Sequence, residues 1–540
     1  MKWLKTFTKA KQLQKTGIVG GIISGILTAA AYCVPSVWWL CLGSLIPLWN
    51  SVLYGRKKKT ALFFYAFSLH VIVLAFLYCL IPELGLSDTA GFFLMSIGLV
   101  VASVILALEY VLVFLPYFFM TDCTESFTKR TFHFVFFALS YGMAEWLQEH
   151  FFYPAFPWMR LAAIVTPCPL LLQEAAWFGS CFISIKIVLW NLFAWQVVEW
   201  AFTREKKRKE LFGLLVGVAF FTGILLFDIK QIQKKVIIEE QINQYSTEIR
   251  KNEVLTVLLV QGNFSGEAKW NATMQEIKER YLELSKENIT EETSFVIWPE
   301  TALPVVLSKD GILTEELAEF CKQYNTSLFV GAFDRTAEGK YNAVYYVTKD
   351  GLSEQIYYKQ KLAPFGEYMP FEKVVTLFLP KYLQKEAFLA GMKEEAVVFQ
   401  TEFGMVGTLV CFESLFSGIA RNMVAEGAEV LLIASNDSWF DHSAALYQHH
   451  AQAILRAVES GCYVLRVGNS GITSIISPVG KVLKAVPAKE AVTLAGTVTM
   501  RTEQTNYVRY GDVWLVGSYV LIGMLNFILS LKMVEKKEKV

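Results

Sequence analysis

The sequence predicts a bundle of eight membrane-spanning helices joined to one α/β domain. Three observations carry this. Of 540 residues, 54% are hydrophobic and only 18% are charged, against about 25% charged in soluble domains. Apolar stretches of membrane-spanning length recur along the chain. Residues 228–512, between the last two of them, have ordinary globular composition, with apolar strand-like runs alternating with helical patterns.

The candidate spans cover 16–33, 37–54, 61–81, 91–119, 131–147, 169–197, 210–227 and 513–531. Their orientation follows from lysine and arginine, which accumulate in cytoplasmic loops. Cations gather at Lys2, Lys5, Lys9, Lys11 and Lys15, at Arg56 to Lys59, at Lys129 and Arg130, in TREKKRKE (203–210) and in the terminal KKEKV. All fall on one face if the N-terminus is cytoplasmic; Arg160 is the one exception on the other side. Seven spans then place 228–512 on the outer face, and the eighth returns the C-terminus to the cytoplasm. The expected domains are therefore 1–227, 228–512, and 513–540 for the last helix and tail. The first span follows a basic segment, as a signal peptide does, but no small-residue cleavage site stands out and the alternation requires it.

Glu109, Glu145, Glu174 and Lys186 lie within predicted spans. Ionisable groups there are expensive and often functional; the plainer expectation is pairing inside the bundle or an interfacial position. The loop YPAFPWMRL (153–161), with Trp158, reads as an interfacial anchor or as the lip of a lipid-facing groove. A net charge of +1 offers no basic field for nucleic acid. Nine cysteines without CxxC spacing form neither a disulfide framework nor a zinc site.

In the outer domain, 228–253 is polar and amphipathic and predicts a linker helix. Strands are predicted at 254–263, 294–300, 327–333, 342–348, 428–437, 463–468 and 472–477, with a hairpin over 396–411. Helices are predicted at 272–289, 313–324 and about 444–460. Continuous apolar strands between helices imply sheets covered on their faces. In such sheets active residues gather where strands end. Three strands end on reactive residues: Glu300 after VIWP, Cys411 after GTLV, and Asn436-Asp437 after LLIAS.

A cysteine nucleophile needs a base for its proton and donors or a cation for the oxyanion. His442, His449 and His450 cluster in one stretch, yet no Cys–His motif and no metal-ligand spacing connects them, which favours structural or surface roles. Glu300, beside Trp298 and Pro299, is a candidate base through partial desolvation. Lys359, in YYKQKLAPFGEY (357–368), is a candidate cation that would favour the thiolate and hold an oxyanion. Taken singly, each is more simply a surface charge or a buried thiol.

The three in order, Glu in WPET, Lys in YxKxxLxPFGE and Cys in a strand–CxE turn, resemble the nitrilase superfamily with its Glu-Lys-Cys triad and αββα sandwich. Spans flanking such a domain resemble the apolipoprotein N-acyltransferases within it. The resemblance runs through EWLQEHFFYPAFPW (145–158), QGNFSGEAKW (261–270), VIWPETALP (296–304), YYKQKLAPFGEYMP (357–370), VCFE (410–413), SNDSWF (435–440), QHHAQAILRAVES (448–460), GNSGIT (468–473) and YVRYGDVW (507–514). It implies Glu300 as base, Lys359 as oxyanion cation and Cys411 as nucleophile, with Lys361 the competitor for the lysine role. Glu367, Glu413, Phe412, Trp270, Trp439 and Trp158 are implied as auxiliary or substrate-positioning residues. Phe412 stands where the family often has tyrosine, and Gly461 and Cys462 stand where an arginine-containing pair is usual.

The resemblance further implies ping-pong acyl transfer. The donor would be a membrane phospholipid, the intermediate a thioester on Cys411, and the acceptor the α-amine of a diacylglyceryl-modified cysteine at the N-terminus of an apolipoprotein. It implies no metal or cofactor, a bacterial cytoplasmic-membrane location and a monomer. Two other readings stay open: a membrane-tethered amidase or nitrilase using water, and a transporter or scaffold whose outer domain only binds. Loops around 360–390 and 437–447 are candidate lids by position.

Overall fold

The computed structural model describes residues 17–84, 87–119, 127–202, 208–245, 254–264, 272–372, 388–391 and 397–538. The basic N-terminal segment through Lys15, positions 203–207, Trp270, the end of the expected linker at 246–253 and most of the first candidate lid (373–387) lie outside those residues. The chain forms two compact units: Met1–Pro82 with Leu86–Gln231 and Asp512–Val540, and Ile232–Gly511 with Glu83–Gly85.

The first unit is helical. Among the described residues five segments are long and apolar enough to cross a membrane: Pro35–Tyr54, Lys58–Pro82, Asp88–Val113, Ser180–Ala201 and Glu210–Lys235. Ile18–Cys33 and Val513–Ile528 are apolar but shorter. The helix Phe127–His150 is 24 residues long and carries Lys129, Arg130, His133, Glu145, Glu149 and His150. Two expected spans are interrupted. Residues 37–54 divide into a tight turn-helix Pro35–Leu42 and the helix Ile46–Tyr54. The stretch from 169 becomes a regular helix only at Ser180, after Pro169 and a left-handed Gly179 (φ 76°). Proline removes a backbone donor and glycine releases the chain, so hydropathy alone overestimates helix length there. The expected linker helix is the continuation of one helix, Arg208–Tyr245.

The charged residues of the predicted spans have partners within this unit. Glu109 accepts from Gln148 Nε2 (3.2 Å), and Glu145 accepts from the Leu161 N–H (2.8 Å). Lys186 Nζ lies 2.6 Å from Glu174 and 3.6 Å from Asp228. Arg160, the cation that breaks the charge pattern, is buried and pairs with Glu149 at 2.6 Å. Pairing lowers the cost of burying these charges. Trp158 is buried here against Phe76 (5.1 Å) and Phe156 (5.8 Å), and its carbonyl accepts from Tyr32 Oη.

The second unit holds two sheets. One has strand order β13-β1-β2-β4-β5-β6 with β3 beside β4; the other runs β12-β11-β10-β9-β8-β7. In chain order the strands are β1 Val254–Gln261, β2 Thr293–Ile297, β3 Leu303–Val306, β4 Ser327–Arg335, β5 Lys340–Thr348, β6 Gly351–Tyr358, β7 Val398–Thr401, β8 Gly404–Val410, β9 Val430–Ser435, β10 Tyr463–Gly468, β11 Thr473–Ile476, β12 Val482–Val486 and β13 Val492–Thr499. Strands β3, β6, β12 and β13 are additional to the expected ones; β3 is a four-residue apolar run, LPVV, and β12 is largely exposed.

Strand alternation builds the layers. In the first sheet Val296, Leu328, Val330, Tyr345 and Val347 face one way, into a core with Ile277, Tyr281, Leu313 and Leu317 from the helices Met274–Asn288 (α1) and Gly311–Tyr324 (α2). Their neighbours Phe295, Phe329 and Tyr346 point the other way and meet Phe399 and Phe403 beside β7 of the second sheet, with ring centroids 5.2–6.2 Å apart. Helices Ser417–Ala425 (α3) and Ala445–Ser460 (α4) cover the second sheet. The result is a helix–sheet–sheet–helix sandwich. Thr273 starts α1 with a capping box to Glu276, which satisfies two end N–H groups.

Candidate active site

The parallel pairings β1–β2, β2–β4, β8–β9 and β9–β10 bring the ends of β2, β8 and β9 to one edge of the sandwich. The antiparallel β5 starts there, with Asn342 opposite Phe333, and β6 ends there. That edge collects Glu300, Asn342, Lys359, Cys411, Asn436 and Asp437. Gly331 lets β4 approach the Glu300 turn: a Cβ there would lie 2.3 Å from the Pro299 carbonyl oxygen and 2.8 Å from Glu300 Cα.

Glu300 is buried, and both its oxygens are engaged. Oε1 accepts from Lys359 Nζ (3.0 Å) and Asn342 Nδ2 (2.8 Å), while Oε2 accepts from the backbone N–H of Asn436 (2.8 Å). Lys359, 1% exposed, also pairs with Glu367 at 2.8 Å. Asn342 donates to Glu367 Oε1 as well (2.9 Å), so one amide ties the two carboxylates together. Burial pulls the Lys359 ammonium down, but Glu300 and Glu367 outweigh it and hold its pKa well above the usual lysine value. Lys359 is therefore a permanent cation. Lys361 instead lies 5.4 Å from the Phe416 ring centroid, with its side chain toward the surface.

Cys411 occupies the turn from β8 into a short turn-helix, Cys411–Leu415, with φ 52°. A left-handed backbone at a non-glycine residue costs about 1–3 kcal/mol and persists only where its surroundings enforce it. Desolvation, and next the Glu300 charge, raise the thiol pKa far above its ordinary value; Lys359 opposes them and does not win. The expected lysine-stabilised thiolate is thus not the resting form. The thiol is held protonated beside a carboxylate that can take the proton when an electrophile arrives.

Glu413 is fully buried beneath this turn. Oε2 accepts from Val410 N (2.7 Å) and Tyr357 Oη (2.8 Å), and Oε1 from Gln360 N (2.5 Å) and Lys361 N (3.1 Å). It fastens the Cys411 turn to the turn that carries Lys359. Burial raises its pKa to about 7, opposed by those hydrogen bonds and the Lys359 charge. The folded carboxyl therefore keeps a proton that an unfolded one, with pKa about 4.3, releases. Its contribution to stability is full below about pH 4.3 and declines by about 4 kcal/mol as pH rises through about 7. The expected result is a thermal midpoint that falls from pH 5 to 8, with that slope reduced in Glu413→Gln; an unchanged slope would assign it elsewhere.

Phe412 is buried, edge-on to Phe416 at 5.3 Å, and Trp439 is half-buried in the turn Asp437–Phe440. Trp158 belongs to the helical unit. Three contributors carried no usable signal. Asn342 sits inside an apolar strand run. His449 and Arg466 lie 38 and 55 residues beyond Cys411 with no motif joining them to it. Atoms of Cys411, Asp437 and His449 lie within 4.8 Å of one another. Arg466, on Asp437 at 2.6 Å, makes this a poor place for a metal cation.

Residues 24–193 match the model of the apolipoprotein N-acyltransferase N-terminal domain, and 256–507 match that of carbon-nitrogen hydrolases. The two domains follow one another in a single chain. The chain belongs to the apolipoprotein N-acyltransferase family. A family protein from Aquifex aeolicus is 28% identical over 87% of this chain and 95% of its own. One from Pseudomonas aeruginosa is 29% identical over 51% of this chain, and that alignment spans 54% of the relative. Among solved structures, a CN-hydrolase superfamily protein from Xanthomonas campestris is 19% identical, covering 46% of this chain and 91% of that one, with a TM-score of 0.36.

Proposed function

We propose that this chain is an apolipoprotein N-acyltransferase that moves an acyl chain from a membrane phospholipid, through a thioester on Cys411, to the N-terminal amine of a diacylglyceryl-cysteine. The observation that carries the reading is the Glu300–Lys359 pair, oriented by Asn342 and the Asn436 N–H, beside a protonated thiol in a left-handed turn.

Glu300 takes the Cys411 proton as Sγ attacks the ester carbonyl. Lys359 stabilises the tetrahedral oxyanion, a contribution worth a few kcal/mol for such a preorganised charge. Collapse breaks the ester C–O bond; the lysophospholipid leaves with the proton from Glu300, and the acyl group remains on sulfur. The acceptor amine then attacks the thioester, Glu300 takes its proton, and the amide forms as the thiolate leaves and is reprotonated. Glu367 fixes Lys359, and in this reading Trp270 and Trp439 serve as auxiliary or substrate-positioning residues. In the same reading the membrane part has eight spans, with both termini cytoplasmic and 228–512 outside between the domains 1–227 and 513–540. Fusing the two parts serves a reaction whose substrates both sit in the bilayer.

The test is purified full-length protein in phospholipid nanodiscs. The peptide containing Cys411 is expected to gain a hydroxylamine-labile acyl mass, which is discharged as amide on adding a diacylated lipopeptide. Release of free fatty acid without amide would replace transfer by hydrolysis.

A further inference from the structure

Asp437, His449 and Arg466 form a buried ionic chain, and the mechanism above uses none of the three. Asp437 Oδ2 accepts from Arg466 Nη2 (2.6 Å), and Oδ1 meets His449 Nδ1 (2.8 Å) and Ser435 Oγ (2.7 Å). The other ring nitrogen, His449 Nε2, lies 3.0 Å from the backbone carbonyl oxygen of Cys411 and 3.0 Å from Ser414 Oγ. A carbonyl only accepts, so the contact to Cys411 is a hydrogen bond in which Nε2 donates. Nδ1 lies between partners of opposite kind, Asp437 Oδ1, which only accepts, and Arg466 Nη2 (3.2 Å), which only donates. Burial pushes the Asp437 carboxyl up, but Arg466 and then His449 overcome it and keep its pKa far below normal.

We propose that His449 is a positioning residue for the nucleophile: its Nε2–H clamps the Cys411 carbonyl and holds the left-handed turn that aims the thiol. Three features support this. The Cys411 backbone at φ 52° needs an external restraint. His449 lies on α4, a different element from the strand it restrains. The Asn436 N–H holds Glu300, and the adjacent Asp437 side chain holds His449, so one turn after β9 fixes base and nucleophile relative to each other.

The inference rests on Cys411 being the acylated nucleophile. It is tested on full-length protein in phospholipid nanodiscs by the single-turnover rate of acyl-Cys411 formation, read by intact mass, with KM for phospholipid measured alongside. Two amide variants separate the contacts. Asparagine at 449 reaches about as far as Nδ1 and keeps the Asp437 contact; glutamine reaches about as far as Nε2 and keeps the donor to Cys411. His449→Asn is expected to slow acylation about 100-fold, the cost of an ångström-scale misplacement, with KM changed less than about twofold. His449→Gln should stay within about tenfold of wild type, and Ser414→Ala within about threefold. Wild-type speed in His449→Asn overturns the proposal. So does His449→Gln as slow as His449→Asn, Ser414→Ala as slow as either, or loss of the unfolding transition in both histidine variants. If the wild type itself forms no thioester, the acyl-enzyme reading has failed instead.

Discussion

Cys411→Ala is expected to form no acyl-enzyme and to lose acyl transfer by at least about 10⁴-fold, because no other group supplies the covalent intermediate. The substitution is a clean one for the fold. Alanine meets the same backbone at φ 52° as cysteine does, so the strain of the turn is unchanged. The thiol has no salt-bridge partner; the nearby charges of Glu300 and Lys359 stay paired with each other at 3.0 Å. The thermal midpoint should therefore move by no more than a few degrees. Mass spectrometry of the variant after incubation with phospholipid is the measurement. A phospholipid-derived adduct surviving on Cys411→Ala would remove the residue from the mechanism. The buried cysteines of the α/β unit, Cys321 and Cys462, have thiols that burial pushes up to about 12, and neither Glu300 nor Lys359 is among the charges that act on them, so their alanine variants should remain active.

Lys359→Met is expected to abolish thioester formation and also to destabilise the α/β unit by about 3–5 kcal/mol. The two effects have one cause. Lys359 lies 3.0 Å from Glu300 and 2.8 Å from Glu367, and all three are largely withdrawn from water. Methionine fills a similar volume without charge, which leaves two carboxylates joined only through Asn342 with no cation between them. One of them must then take up a proton to relieve the repulsion, and a protonated Glu300 cannot act as base. The oxyanion loses its cation as well. Thermal unfolding and acyl-enzyme yield, measured together, check this. A variant of normal stability that still acylates Cys411 would place the oxyanion donor elsewhere. Lys361→Met should have little effect on either measurement, because that side chain lies over Phe416.

Much of the α/β unit was legible because its elements are locally patterned. β8 is a run of small and apolar residues ending at Val410, and α4 covers 445–460 where a helix was expected. The additional strands are short, as β3 (LPVV) is, or not continuously apolar. β6, GLSEQIYY, mixes polar and apolar positions and stays half-open, yet it delivers Lys359. In the helical unit, composition locates the apolar stretches but not their breaks: the stretch 37–54 is interrupted at Gly43–Leu45, and Pro169 and Gly179 delay the regular helix of 169–197 to Ser180.

The sequence by itself placed Glu300 and Cys411 where strands run out, because strand ends and turn residues are encoded within a few positions. Lys359 was singled out through its motif, and the roles of base, cation and nucleophile came from the family resemblance. Only the tertiary structure decided how the three are held. Glu300 is fixed by Asn342 and by the Asn436 N–H, the Cys411 turn is fastened by Glu413 from below, and its carbonyl is met by His449 from α4. Those partners lie up to 136 positions apart in the chain, so no periodicity or short motif links them. The tertiary structure also decided the charge state of the nucleophile, since desolvation and a neighbouring carboxylate outweigh the lysine and keep the thiol protonated until substrate arrives.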